Sequence, residues 1–321
     1  MSIIDKPSDY FNTVLWSGDN VDGRAITTGL ETNWTWAKRR NATNGFIIAD
    51  SVRGATYKLD SSTTNAEVNN YDGGHLESFT STGFTMGVGS GDFGHLNASG
   101  GTYVAWNWKK TADAGFDIVA YTGNGSNRTI SHSCGAVPKM IIIKDRSAAD
   151  NWNVYNSSSG NNSHMHLNLT NAASGSSSYW NTTTPTSSVF SLGSNSAVNA
   201  NGNNFIAYCF AEKQGYSKFG SYTGNGSADG SYIHLGFKPI YLLAKRTDSA
   251  DEWIIQDGAR ATFNEVDVRL FANSSGAEQT NGYGDVDFLS QGFKWRTNSA
   301  TLNASGGSYI YMAFAENPFV T

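Results

Sequence analysis

The chain alternates short runs of β-branched and aromatic residues with clusters of Gly, Asn and Ser, and nothing between the runs keeps helical spacing. In the middle third the runs are 137–144, 151–155, 165–169, 188–192 and 205–211. Runs of this length, bounded by turn residues, predict antiparallel strands packed sheet on sheet rather than strand–helix–strand units. The run 309–316 (Tyr-Ile-Tyr-Met-Ala-Phe-Ala-Glu) is apolar on both faces. It predicts a central strand covered on each side, or one with a face turned to a neighbouring domain or subunit.

The pattern repeats. Tyr-Thr-Gly-Asn-Gly-Ser at 121–126 recurs at 222–227, and Pro138, Lys144 and Trp152 recur at the same spacing of 101 residues as Pro239, Lys245 and Trp253. A more diverged copy opens the chain, where Trp-Ser-Gly-Asp at 16–19 stands for the motif and Lys38 precedes Phe46 by eight positions. Each copy closes on a polar turn and a strand, at 96–108, 198–210 and 302–314. The expected organisation is all-β: three tandem antiparallel β-sandwich repeats, jelly-roll or lectin-like, over 1–114, 115–215 and 216–321.

Composition narrows the function classes. Thirty-five Gly and 15% charged residues argue against helical bundles, while 39% hydrophobic residues and nine Trp supply a buriable core. A formal charge of −5 offers no basic stripe for nucleic acid. No apolar run reaches the roughly 20 residues of a membrane span. The N-terminus lacks a signal-peptide pattern, so synthesis in a cytoplasm is expected. Cys134 and Cys209 are too few for a disulfide scaffold and are expected to be buried.

Candidate chemistry is sparse. Gly-Ser-Gly-Asp-Phe-Gly at 89–94 matches GxGxxG without the strand, helix and acidic residue that dinucleotide binding needs. His164 and His166 share one face of a strand and are weak metal candidates, with two surface histidines the plainer reading. Asp285 with Asp287, and Asp248 with Asp251 and Asp257, lack calcium-loop spacing. Glu212 and Glu316 occupy equivalent repeat positions, which speaks against an asymmetric carboxylate pair for glycoside cleavage. No catalytic residue, metal or cofactor is assigned.

The pattern Lys-x7-aromatic (Lys38/Phe46, Lys144/Trp152, Lys245/Trp253) is expected to plug each sandwich with the aromatic while the Lys stem covers it and the ammonium sits in water. Glu212 is expected to pair with Lys144 and Glu316 with Lys245, while Lys38 and Lys110 cannot pair. Tyr179, Trp180 and Trp295 are not repeated and lie in or near polar stretches. They are the candidates for a ligand or partner surface, in which an aromatic stacks on a sugar ring.

The segments 6–15, 50–54, 102–109, 216–227 and 309–316 resemble repeat segments of virion proteins of marine tailed bacteriophages, cyanophages and marine podoviruses, of the tail-fibre-like or lectin-like type. The resemblance implies a non-enzymatic component of the outer particle surface, made in the host cytoplasm. Its implied partners are other virion proteins of tail or capsid, copies of itself, with a trimer favoured, and host surface polysaccharide. A head-decoration or head-fibre protein bound to the major capsid protein is the alternative, and a glycan-cleaving spike the remotest one.

Overall fold

A computed structural model describes residues 4–69, 75–87, 96–280 and 282–316. Among these the fold is all-β, with three large antiparallel sheets whose strands each come from one of the three segments. In the first segment the order is Phe11–Ser17, Thr102–Trp108, Trp34–Arg39, Ile47–Asp50, Gly54–Leu59, Val68–Asn69. The second runs Phe116–Thr122, Asn204–Ala211, Pro138–Asp145, Asn153–Asn156, Ser163–His166, Ser174–Gly175, and the third Ser217–Thr223, Ser308–Ala315, Pro239–Arg246, Trp253–Asp257, Leu270–Phe271. Each segment therefore pairs its opening strand with its closing one. The register corresponds as well: Trp36 lies opposite Trp106, Ile142 opposite Tyr208 and Leu243 opposite Met312.

Alternation along these strands sends side chains to two different cores. One face of each large sheet is covered by a small antiparallel sheet of the same segment, made by Arg24–Thr27, Gly83–Met86 and Leu76–Thr80, by Arg128–Ser131 and Val189–Leu192, and by Tyr232–His234, Gly292–Trp295 and Val286–Leu289. The opposite faces of all three large sheets meet in one shared core, which holds Trp34, Trp106 and Trp108 with Tyr208 and Phe210 and with Tyr241, Met312 and Phe314. The strand Ser308–Ala315 shows why both its faces are apolar. Ile310, Met312 and Phe314 enter the shared core, while Tyr311, Ala313 and Ala315 face the small sheet.

The aromatic content belongs largely to this centre. Trp34 stacks on Tyr208 with ring centroids 4.6 Å apart, Phe11 on Phe314 at 5.0 Å, and Phe210 meets Phe314 edge-on at 6.3 Å, so each contact crosses between segments. Backbone hydrogen bonds then close the three segments into a ring. Asp150 N donates to Thr64 O (2.9 Å), Asp251 N to Thr170 O (2.7 Å) and Asn44 N to Ser275 O (2.8 Å). In the reverse direction Glu67 N donates to Arg146 O, Ala173 N to Thr247 O and Glu278 N to Arg40 O. The second set of bonds pairs the same segments in turn, so the first bonds to the second, the second to the third and the third to the first.

The recurring Tyr-Thr-Gly-Asn-Gly-Ser segment is half strand and half turn. Its Tyr and Thr end a strand that the run pattern omits, Phe116–Thr122, and its turn is clamped to the polar turn before the closing strand. Asn199, fully buried, donates through Nδ2 to Ser126 O (2.7 Å) and Gly193 O (3.0 Å), and its Oδ1 accepts from Asn124 N (3.0 Å). Asn303 repeats this with Ser227 O, Thr297 O and Asn225 N. The motif Gly is required by close approach: a Cβ on Gly123 would lie 2.1 Å from Ala200 O, and one on Gly224 2.2 Å from Ala304 O.

Candidate functional site

The residues singled out in the sequence fall mostly inside the protein. Trp180 is buried, with its indole N–H donated to Ser163 O at 2.8 Å. Trp295 ends a strand of the third segment's small sheet and is fully buried in the core which that sheet covers. Neither offers a face to a ligand, because each fills a core that differs in detail from those of the other segments. Tyr179 is half-buried and lies flat on His164, with centroids 3.7 Å apart. Burial, aided by the neighbouring His166, pushes His164 down to about 4, and burial also lowers His166. The two rings lie 5.2 Å apart, and no group of three or more His, Cys, Asp or Glu converges among the described residues. The GxGxxG match at 89–94 lies outside the described residues. Cys134 and Cys209 are buried free thiols.

Phe46, Trp152 and Trp253 are core plugs as expected, but of the shared core. Trp152 Nε1 donates to Asp60 O and Trp253 Nε1 to His166 O, both at 2.9 Å and both across a segment boundary. The lysines differ from expectation: Lys38, Lys144 and Lys245 are fully buried, ammonium included. Each donates to the carbonyl of the next residue, Lys38 to Arg39 O (3.0 Å), Lys144 to Asp145 O (2.7 Å) and Lys245 to Arg246 O (2.6 Å), and Lys38 and Lys245 also reach Ser275 O and Thr170 O, both at 3.1 Å, in neighbouring segments. Burial lowers all three to about 8.

The proposed Lys–Glu pairs do not form. Antiparallel register sets Lys144 opposite Ile206 and Pro138 opposite Ala211, so Glu212 sits at the far end of the strand from Lys144. Glu212 instead accepts the Phe219 N–H at 3.4 Å, and Glu316 pairs with Lys238 at 2.8 Å. Lys110, which cannot pair with Lys38, lies 3.2 Å from Asp117.

The informative geometry lies at the three junctions between segments. At the first–second junction, buried Arg53 binds Asp50 and Glu67 (2.9 Å), Glu67 also binds Arg146 (2.8 Å), and the Tyr208 hydroxyl donates to Asp50 (2.8 Å). Burial opposes the charge on Arg53, but the Tyr208 hydroxyl, Asp50 and Glu67 outweigh it and hold the guanidinium above its ordinary value. The third–first junction repeats this: Arg260 binds Asp257 and Glu278, Glu278 binds Arg40, and Trp106 Nε1 donates to Asp257 at 2.9 Å. Burial of Glu278 likewise loses to Arg40 and Arg260, which hold its carboxyl below its ordinary value.

The second–third junction has the same backbone bonds and none of the charges. Asn156 stands where Asp50 and Asp257 stand, Ser159 for Arg53 and Arg260, Ala173 for Glu67 and Glu278, Thr247 for Arg146 and Arg40, and Met312 for Tyr208 and Trp106. The buried Asn156 Nδ2 has no hydrogen-bond partner. An open cleft of about 470 Å³ lies at this junction, lined by Ser158, Ser159, Ser163, Ala173, Ser221, Tyr222, Thr223, Thr247, Ser308, Tyr309 and Ile310. No lining side chain is ionisable near neutrality. The sequence spacing aligned Arg146 with Thr247, yet nothing local shows that their partners are Glu67 and Ala173.

Residues 6–318 match the model of a family described as a domain of unknown function (DUF7483), and the chain belongs to that family. No curated protein matches it.

Proposed function

We propose that the protein is a non-enzymatic structural protein of a bacteriophage particle, tail-fibre-like, that contacts host surface polysaccharide. The observation that carries this reading is the closed ring of three sheets on one aromatic core, in which the charged groups at two junctions bind one another. Asp50, Arg53, Asp257 and Arg260 neutralise one another, and the three buried lysines are held by carbonyls. None of these faces a cleft as a nucleophile or base would. The resemblance of the repeat segments to marine phage virion proteins supplies the setting, and the hydroxyl-rich composition, low in charged residues, suits a carbohydrate partner.

Cryo-electron microscopy of particles carrying the chain, with the purified protein as a competitor in an adsorption assay, tests the reading. Density at the tail together with reduced adsorption is the expected result. Occupancy across the capsid lattice without any effect on adsorption overturns it in favour of the decoration protein.

A further inference from the structure

We propose that the cleft between the second and third segments is a binding site for a neutral oligosaccharide. The inference rests on the reading above for the existence of a glycan partner and adds where it binds and that it is uncharged. The three junctions share backbone bonding, so the ring does not need the second–third junction to be open. At that junction five positions that carry Asp, Arg, Glu, Arg and an aromatic donor at both others are instead Asn156, Ser159, Ala173, Thr247 and Met312. Three of these, Ser159, Ala173 and Thr247, line the cleft. Where Arg53, Glu67 and Arg146 fill the first–second junction, this one leaves space.

The lining specifies the ligand class. A volume of about 470 Å³ is in the range of small-ligand sites, but those are mostly apolar, whereas seven of the eleven lining residues here are Ser or Thr. Among the described residues only Thr247 of these seven has its hydroxyl engaged, donating to Ser308 O at 3.1 Å. The other hydroxyls can both donate and accept, as the hydroxyl groups of a sugar require. Half-buried Tyr222 adds an aromatic surface, fixed by its stacking on Tyr309 at 4.8 Å and by its hydroxyl donated to Leu302 O. With no cationic lining side chain to neutralise a carboxylate, sulfate or phosphate, an anionic glycan gains nothing here.

The other junctions provide a fold-compatible test, since N156D/S159R/A173E/T247R copies into the cleft the charged set that already packs twice in this chain. Affinity electrophoresis of the full chain through gels containing dextran, mannan or galactan, with polygalacturonate as the anionic control, reads binding. The unaltered protein is expected to be retarded by at least one neutral polysaccharide. The quadruple variant and a second one, S221W at the exposed rim, are expected to weaken that retardation at least tenfold, while T129W on a remote exposed strand leaves it unchanged. Retardation that survives both cleft variants overturns the site and leaves the functional reading standing. Retardation by polygalacturonate alone overturns the ligand class. Retardation by none of the four contradicts the functional reading together with the site.

Discussion

Removing Glu67 isolates the energetics of the junctions. In Glu67→Ala the buried Arg53 loses a 2.9 Å partner and Arg146 loses a two-pronged contact at 2.8 and 3.0 Å. Stripping one partner from a buried ion pair costs roughly 3–5 kcal/mol. Arg53 keeps Asp50, and Arg146 is partly exposed, which places the expected loss near the lower end, about 3 kcal/mol. The second–third junction shows that the same backbone arrangement closes when the whole set is replaced. The variant D50N/R53S/E67A/R146T, which copies that junction into the first–second one, is therefore expected to lose only about 2–4 kcal/mol, well below the sum of its four single losses, because members of one network couple strongly. Urea denaturation followed by Trp fluorescence measures each value. Additive losses, or a quadruple variant that does not fold, would refute the view that these charges fill a junction rather than hold the ring closed.

Three further outcomes follow from the buried groups and close approaches. Lys38, Lys144 and Lys245 bind fewer protons when folded than when unfolded once pH passes about 8, so stability is expected to rise from pH 8 towards 10, and a variant with all three changed to Met should lack that rise in paired denaturation curves at pH 7.5 and 9.5. Gly123→Ala drives a Cβ into Ala200 O and is expected to cost about 2 kcal/mol or more, whereas Gly175→Ala, with its nearest neighbour at 3.6 Å, should shift the denaturation midpoint little. Asn199→Asp removes three donated hydrogen bonds and buries a carboxylate, for an expected loss of about 3 kcal/mol by the same assay, and an equal effect at an exposed Asn such as Asn201 would contradict the clamp.

What the sequence made legible was periodic and local. Strand runs, the 101-residue spacing and the aromatic plugs Phe46, Trp152 and Trp253 could all be read, because alternation and turn chemistry act over a few residues. Strand ends shifted by up to three positions, and Phe116–Thr122 ran unread into the turn-like motif that begins at Tyr121. The site was not legible, for physical reasons that differ from residue to residue. Lys38 and Lys245 are held partly by carbonyls of the next residue and partly by carbonyls more than seventy residues away, and the distant partners that complete their burial have no local signal. The Glu212–Lys144 pairing assumed proximity that the reversed direction of an antiparallel neighbour denies. Trp180 and Trp295 looked exposed because they are not repeated, but non-repetition marked the differing small-sheet cores instead. The cleft is a difference among three junctions, visible only once folding shows that Glu67, Ala173 and Glu278 occupy one place in the ring.

The central claim is that three segments share one core within a single chain. Hydrogen exchange read by mass spectrometry through a urea titration, with peptides from 102–108, 204–211 and 308–315, tests it most directly. One coincident loss of protection in all three closing strands is the predicted result. Three separate transitions, one per segment, would contradict the shared core.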